Sequence, residues 1–261
     1  MRRSLENKRV IITGATSGIG LALAKALGAE GCHLILNGRR GELLGEIAES
    51  LSGAGVECDF VVGDVTDRDC RSELLDEGID RYGGLDILIN NAGVGAMGRF
   101  DGASEDRLRQ VFEVNFFAVA DLIRESLPLL KVGDDSLIVN LSSVLGHRAV
   151  PLKSEYCASK FAIHGFSDAI RAELAGDRVE LLLVSPSTTD SEFFDAAIED
   201  SAKKDWKKGG AMSPEAVAVH TVRAMKKRNH EIILTFGGRT LVWLDRMIPG
   251  IANRIIARFG Q

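Results

Sequence analysis

Cysteine is scarce in this chain, and its four residues, Cys32, Cys58, Cys70 and Cys157, are widely separated and make no C-x-x-C pair. That spacing argues against a disulfide framework or a zinc site, so a reducing compartment is expected and no metal ligands are assigned. Basic excess is also missing. With 32 Lys and Arg against 37 Asp and Glu, the net charge of −5 leaves no domain-wide footprint for neutralising nucleic-acid phosphates. The N-terminal stretch Met1-Arg2-Arg3-Ser4-Leu5-Glu6-Asn7-Lys8-Arg9 lacks the apolar run of a signal peptide, which predicts a cytoplasmic protein. No internal repeat or low-complexity segment interrupts the pattern.

What is present is length and apolar content. At 261 residues and 45% hydrophobic, the chain can bury a large core and fits one domain spanning 1–261. Short β-branched runs alternate with segments of helical period. Seven strands are predicted: Val10–Ile12, Leu34–Leu36, Val56–Val62, Leu85–Ile89, Leu137–Leu141, Val179–Val184 and Glu231–Thr235. Helices are expected around Ile19–Ala29, Gly41–Ser52, Asp67–Tyr82, Ser104–Leu127, Ser154–Ala175 and Pro214–Arg228, the last with Ser213 as N-cap and Pro214 at its first position. Alternation of this kind means parallel strands with crossovers, and strands this apolar are covered on both faces. Residues 188–212 read as a long irregular excursion, which in compact domains tends to be functional.

The first strand runs directly into Thr13-Gly14-Ala15-Thr16-Ser17-Gly18-Ile19-Gly20, which opens the first helix. A phosphate can approach a helix N-terminus only where no Cβ intervenes, and Gly14, Gly18 and Gly20 permit that approach. The bland alternative is a glycine turn without phosphate. At the end of the second strand, Asn37-Gly38-Arg39-Arg40 lacks the acidic residue that would bond a ribose 2′-hydroxyl. A guanidinium suits a 2′-phosphate instead, so Arg39 and Arg40 point to NADP(H) in preference to NAD(H), against the reading of two solvated loop arginines.

Tyr156 and Lys160 lie four residues apart within one predicted helix and so share a face. A phenol titrates near pH ~10, and an adjacent cation favours its ionised form, which suits it to general acid–base work. Alone, such a pair is commonly a solvated polar contact.

Together these motifs resemble the short-chain dehydrogenase/reductase family. The resemblance covers nearly the whole chain through Thr13-Gly14-x-x-x-Gly18-x-Gly20, Asp64, Asn90-Asn91-Ala92-Gly93, Asn115, Ser143 and Tyr156-x-x-x-Lys160. It implies an α/β, Rossmann-type doubly wound fold with a mostly parallel seven-stranded sheet and helices on both faces, usually as homodimers or homotetramers. It further implies that Tyr156 is the catalytic acid/base and that Lys160 binds the nicotinamide ribose and lowers the tyrosine pKa. Ser143, thirteen residues before Tyr156, would hydrogen-bond the substrate oxygen, and Asn115 would order a proton-relay water. On the cofactor side, Gly14, Thr16, Ser17, Gly18, Ile19 and Gly20 would form the phosphate turn. Asp64 and Val65 would contact adenine, and Asn91, Ala92 and Gly93 would approach the cofactor, although Asn91 is read equally well as steadying the sheet. After the sixth strand the family usually has Pro-Gly. Here Pro186 is followed by Ser187, so the assignment of Thr189 and Ser191 to the nicotinamide carboxamide rests on an altered loop. Cys157 is read as a packed helix residue, and His147 as a loop histidine without a role.

The expected substrate is a small, partly apolar carbonyl or alcohol, because Val94, Met97, Phe100, Val144, Phe193 and Trp206 fall in segments expected to line the pocket. A rival reading keeps the fold as an NADP(H)-binding sensor or scaffold without chemistry. It does not need Ser143, Tyr156, Lys160 and Asn115 together. A sugar-nucleotide epimerase or dehydratase is disfavoured by the short chain beyond Glu231. From about residue 239 to 261 an amphipathic extension places Leu241, Leu244, Ile248, Ile251, Ile255 and Phe259 at helical spacing, with a break expected at Pro249-Gly250. A subunit contact or pocket cover is its plain reading, and peripheral membrane contact is the alternative.

Overall fold

The computed structural model describes residues 2–189, 197–198 and 211–257. Apolar β-branched runs form seven parallel strands: β1 (Arg9–Ile12), β2 (His33–Gly38), β3 (Cys58–Val62), β4 (Ile87–Asn90), β5 (Leu137–Leu141), β6 (Glu180–Ser185) and β7 (Glu231–Ile233). They lie in the order β3-β2-β1-β4-β5-β6-β7, and every pairing between neighbours is parallel. Such strands need helical crossovers on both faces, and two separate cores result. Helices α1 (Gly18–Gly28), α2 (Gly41–Gly53) and α7 (Pro214–Lys227) cover one face through residues such as Leu23, Leu44 and Val217. The other face packs α3 (Arg68–Tyr82), α5 (Ala118–Val132) and α6 (Ser154–Glu173) through Leu74, Leu122 and Ile163.

The strand order reverses between β1 and β4, and a cleft for a ligand opens at the carboxyl ends of strands at such a switch point. Thr13-Gly14 and Asn91–Gly93 occupy those two ends.

One helical reading differs from the structure. The run expected as one helix over Ser104–Leu127 is α4 (Glu105–Phe112), a π-helical turn over Glu113–Phe117, and α5, which continues past Pro128 to Val132. Apolar periodicity marks a helix but does not register a single wide turn inside it. The C-terminal extension divides as expected into α8 (Phe236–Met247) and α9 (Pro249–Ala257). Its apolar stripe is covered in part, with Leu241 and Leu244 half-buried. Ile248, Ile251 and Ile255 are exposed, while Gly238, Val242, Ala252 and Ile256 turn inward. Close approach explains the choice of face: a Cβ on Gly238 would stand 2.8 Å from Val144 Cγ2.

Candidate active site

The β1–α1 turn is shaped by what its residues omit. Gly14 and Gly18 both adopt positive φ, +65° and +53°, where side chains are strained. A Cβ on Gly20 would fall 2.2 Å from the Gly14 carbonyl oxygen, so the helix start and the turn are in contact through bare backbone. Ser17 caps α1 in an extended conformation without a side-chain capping bond. Asn91 locks this turn to β4, since its Nδ2 donates to the carbonyls of Thr13 and Gly14 at 2.9 and 3.0 Å. The Thr13 hydroxyl in turn accepts from the amides of Asn91 and Ala92 at 3.1 and 3.0 Å. Of the two readings open for Asn91, the bonds present are those that steady the sheet.

Arg39 and Arg40 stand beside the turn. Arg40 donates to the Thr16 hydroxyl at 3.0 Å, and Arg39, largely exposed, lies 3.6 Å from an oxygen of Asp64 at the neighbouring strand end. Asp64 also accepts from the Thr66 amide and hydroxyl, at 3.0 and 2.8 Å. Val65 is buried and its carbonyl accepts from Arg71 at 3.1 Å.

Across the cleft, β5 ends at Leu141 and α6 begins at Ser154, which brings Ser143, Tyr156 and Lys160 together, all buried. A hydrogen bond joins Tyr156 to Ser143. The Lys160 ammonium donates to the Leu141 carbonyl at 2.7 Å and lies 5.7 Å from the centre of the Tyr156 ring. Burial disfavours both charged forms. It pushes the Tyr156 phenol well above its ordinary value despite the Ser143 hydrogen bond, and it brings the Lys160 ammonium down to about 8. Burial outweighs the Ser143 hydrogen bond, so the net shift of the phenol is upward, where a neighbouring cation alone would lower it. Ser143 also accepts from the Leu145 amide at 3.1 Å, the local turn bond of a strand-end hydroxyl.

Asn115 sits in the π-helical turn and is almost fully buried. Its Oδ1 accepts from the Val94 amide at 2.8 Å, while Nδ2 donates to the Val94 carbonyl and the Ser159 hydroxyl, both at 3.0 Å. The side chain thus ties the segment after β4 to α6, and Ser159 passes the link on to the Tyr156 carbonyl at 2.8 Å. After β6, the Pro186 carbonyl accepts from the Val144 amide at 2.9 Å and the Thr189 hydroxyl donates to the Ser187 carbonyl at 3.3 Å. Ser191, Phe193 and Trp206 lie outside the described residues. Met97 and Val144 are buried, whereas Phe100, expected to line a pocket, is exposed on a short turn.

Several contributors were not foreseen from sequence. Arg107 of α4 and Glu155, next to Tyr156, form a fully buried pair, with Nε and Nη2 at 2.9 and 2.5 Å from one carboxylate oxygen. Burial alone would raise the Glu155 carboxyl, but the Arg107 and Ser154 hydrogen bonds override it and hold the group below its ordinary value. The partners are 48 residues apart, so no local spacing announces them. His147 is likewise more than a loop residue: its ring is buried, 2.9 Å from Glu231 and 3.1 Å from the Ser185 hydroxyl. Together with His164, whose ring meets it edge-on, these groups hold the β5 loop, α6 and β7 to one another. Cys157 is a packed, buried thiol as expected, and all four cysteines are free.

A doubly wound parallel sheet with a glycine turn at its switch point and a buried tyrosine–lysine pair across the cleft defines an NAD(P)-dependent oxidoreductase. The model of the short chain dehydrogenases matches residues 8–202, and the chain belongs to the short-chain dehydrogenase/reductase family. It is 31% identical to Dehydrogenase/reductase SDR family member 7B of Bos taurus, over 98% of this chain and 82% of that protein. Among solved structures, a short-chain dehydrogenase/reductase from Burkholderia phymatum in complex with NAD superposes with a TM-score of 0.87, at 26% identity over 95% of this chain and 96% of that one. A short-chain dehydrogenase from Burkholderia cenocepacia J2315 in complex with NADP gives 0.81, at 25% identity over 91% and 100%. The residues of this chain fit a nicotinamide dinucleotide. Gly14 and Gly20 carry no Cβ to strike Ala92 and the Gly14 carbonyl, so the turn closes tightly against the start of α1, and Ser17 places no side-chain cap on that helix N-terminus, where a phosphate would sit. Among the described residues no helix is long and apolar enough to cross a membrane.

Proposed function

We propose that this protein is an NADP(H)-preferring reductase or dehydrogenase that interconverts a partly apolar carbonyl and its alcohol, within one domain and as a homo-oligomer. The observation that carries the reading is the gathering of Ser143, Tyr156 and Lys160 in one desolvated cluster at the carboxyl end of β5. Bound at that turn, the nicotinamide cofactor supplies the hydride. As the carbonyl carbon accepts it, negative charge develops on the oxygen, and the Tyr156 hydroxyl gives that oxygen its proton. Tyr156 is protonated in this buried state, and charge developing on the substrate oxygen draws its proton. Ser143 offers the oxygen a second hydrogen bond, and the Lys160 ammonium stabilises the phenolate left behind while holding the ribose. Asn115 acts through Val94 and Ser159 to position Tyr156, and water near it completes the proton path. On the adenosine side, Gly14, Thr16, Ser17, Gly18, Ile19 and Gly20 receive the phosphates, Arg39 and Arg40 the 2′-phosphate, and Asp64, Val65, Asn91, Ala92 and Gly93 the adenine and ribose. Pro186, Thr189 and Ser191 flank the carboxamide.

The basis for NADP(H) is charge: two arginines beside the turn and no carboxylate at the end of β2. Peripheral contact with a membrane through α8 and α9 belongs to the same reading. A screen of NADPH and NADH oxidation over ketones, aldehydes, steroids and 3-oxoacyl compounds, run beside Tyr156→Phe, tests it. Turnover with at least one carbonyl that vanishes in the variant is expected, and turnover that survives would remove Tyr156 from its role.

A further inference from the structure

The C-terminal helices present two opposite faces. Toward the body lie Gly238, Val242, Ala252 and Ile256. Toward solvent lie Phe236, Trp243, Met247, Ile251 and Ile255, with Phe236 86% and Trp243 60% exposed. The α8 members follow helical spacing and the isoleucines of α9 are four apart, so they form a band along both helices. Large side chains exposed together in this way mark a surface that something covers.

Charge says what covers it. The two helices carry Arg239, Arg246 and Arg254, all exposed, and a single acidic residue, Asp245. Asp245 is already engaged inward, 2.7 Å from Arg148. The outward face is therefore apolar and cationic with no exposed carboxylate on either helix, within a chain of net charge −5. A second copy docking on this face through a two-fold axis would bring both sets of three arginines into one interface, with no free carboxylate from α8 or α9 of either copy to pair them. An anionic bilayer surface satisfies both features: the apolar side chains enter the headgroup region, tryptophan suits that boundary, and the arginines meet lipid phosphates and carboxylates.

We infer that α8 and α9 dock this protein on anionic membrane surfaces, with Trp243 and its apolar neighbours inserted and Arg239, Arg246 and Arg254 held at the headgroups. The position of these helices gives the contact a use, which rests on the reductase reading above. Arg148, five residues after Ser143, ties them to the catalytic loop through Asp245 and through Asn253 at 2.6 Å. Gly238 lies against Val144 of the same loop. A lipid-partitioned carbonyl compound would thus meet the cleft beside the surface from which it comes.

Flotation of the full chain with vesicles of phosphatidylcholine alone, and of phosphatidylcholine mixed with phosphatidylserine, tests the docking without any substrate. The protein should float with the mixed vesicles, less so at high salt, and weakly with phosphatidylcholine. Trp243→Glu combined with Met247→Glu should cut the floated fraction by about tenfold, and Arg239→Gln, Arg246→Gln and Arg254→Gln together should reduce it to the phosphatidylcholine level. NADPH fluorescence on binding serves as the check that each variant is folded. Wild-type protein that stays unbound, or floats equally with and without phosphatidylserine, overturns the inference. So does a fall in particle mass by light scattering in Trp243→Glu without any lipid binding by the wild type, which would assign the face to a second copy. Loss of turnover with flotation intact would instead count against the reductase reading alone.

Discussion

At the β1–α1 turn the chain makes room by omitting side chains, whereas at the start of α6 it buries a phenol, an ammonium and a hydroxyl against one another. The first edge is held by backbone: Gly20 touches the Gly14 carbonyl, and Asn91 fixes the turn from outside. Steric fit is its currency, and a single methyl group is enough to upset it. The second edge is held by polar side chains in a dry environment, where burial shifts the protonation of Tyr156 and Lys160 in opposite directions and keeps both nearer neutrality. A nucleotide can be bound by shape, but a proton must be held on a particular atom. The two edges therefore fail in different ways.

The widest separation between them should come from Tyr156→Phe, which removes the proton donor and leaves the packing. Its turnover is expected to fall by about 10³-fold with NADPH affinity unchanged; a matching loss of affinity would erase the distinction. Next, Arg107→Ala strands the Glu155 carboxylate in the core beside Tyr156, and chemical denaturation should report a loss of about 3–5 kcal/mol. Gly20→Ala is the converse of the tyrosine change. Its Cβ imposes strain of about 1–3 kcal/mol, to be seen as weaker NADPH binding by fluorescence titration. Arg39→Asp should shift the ratio of kcat/KM values from NADPH toward NADH by about tenfold or more, and an unchanged ratio would disprove the 2′-phosphate contact.

The mildest effect is that of pH. Lys160, brought down to about 8, is a cation below that value, so kcat/KM for reduction should decline as pH rises through about 8. The sign for stability is opposite. A lysine whose folded pKa lies below its ordinary 10.5 opposes folding most below pH about 8 and less as pH rises toward 10.5, so its contribution to denaturation midpoints should improve over that window.

The sheet was legible in sequence because Val10–Ile12, Leu137–Leu141 and Val179–Val184 carry their strand signal locally, in runs that both faces cover. The glycine turn and the Tyr156–Lys160 pair were legible for the same reason, each lying within eight residues. What escaped was non-local. The Arg107–Glu155 pair and the grouping of His147, His164 and Glu231 are assembled by helix packing and strand order from positions far apart in the chain. The direction of the tyrosine shift escaped because spacing reveals a neighbour's charge and says nothing of how much water remains. Which side of α8 packs on the body is also non-local, since it depends on Gly238 meeting Val144 of the β5 loop.

The π-helical turn over Glu113–Phe117 interrupts the helix between β4 and β5 without turning it. A turn of this kind houses one residue more than a regular α turn, so α4 and α5 keep the bearing of an unbroken helix, with Arg107, Val111, Leu122 and Ile123 all buried. Deleting one residue within the turn would restore regular α geometry and leave both flanks facing the core. The loss would fall on Asn115, whose bonds to Val94 and Ser159 depend on the widened turn.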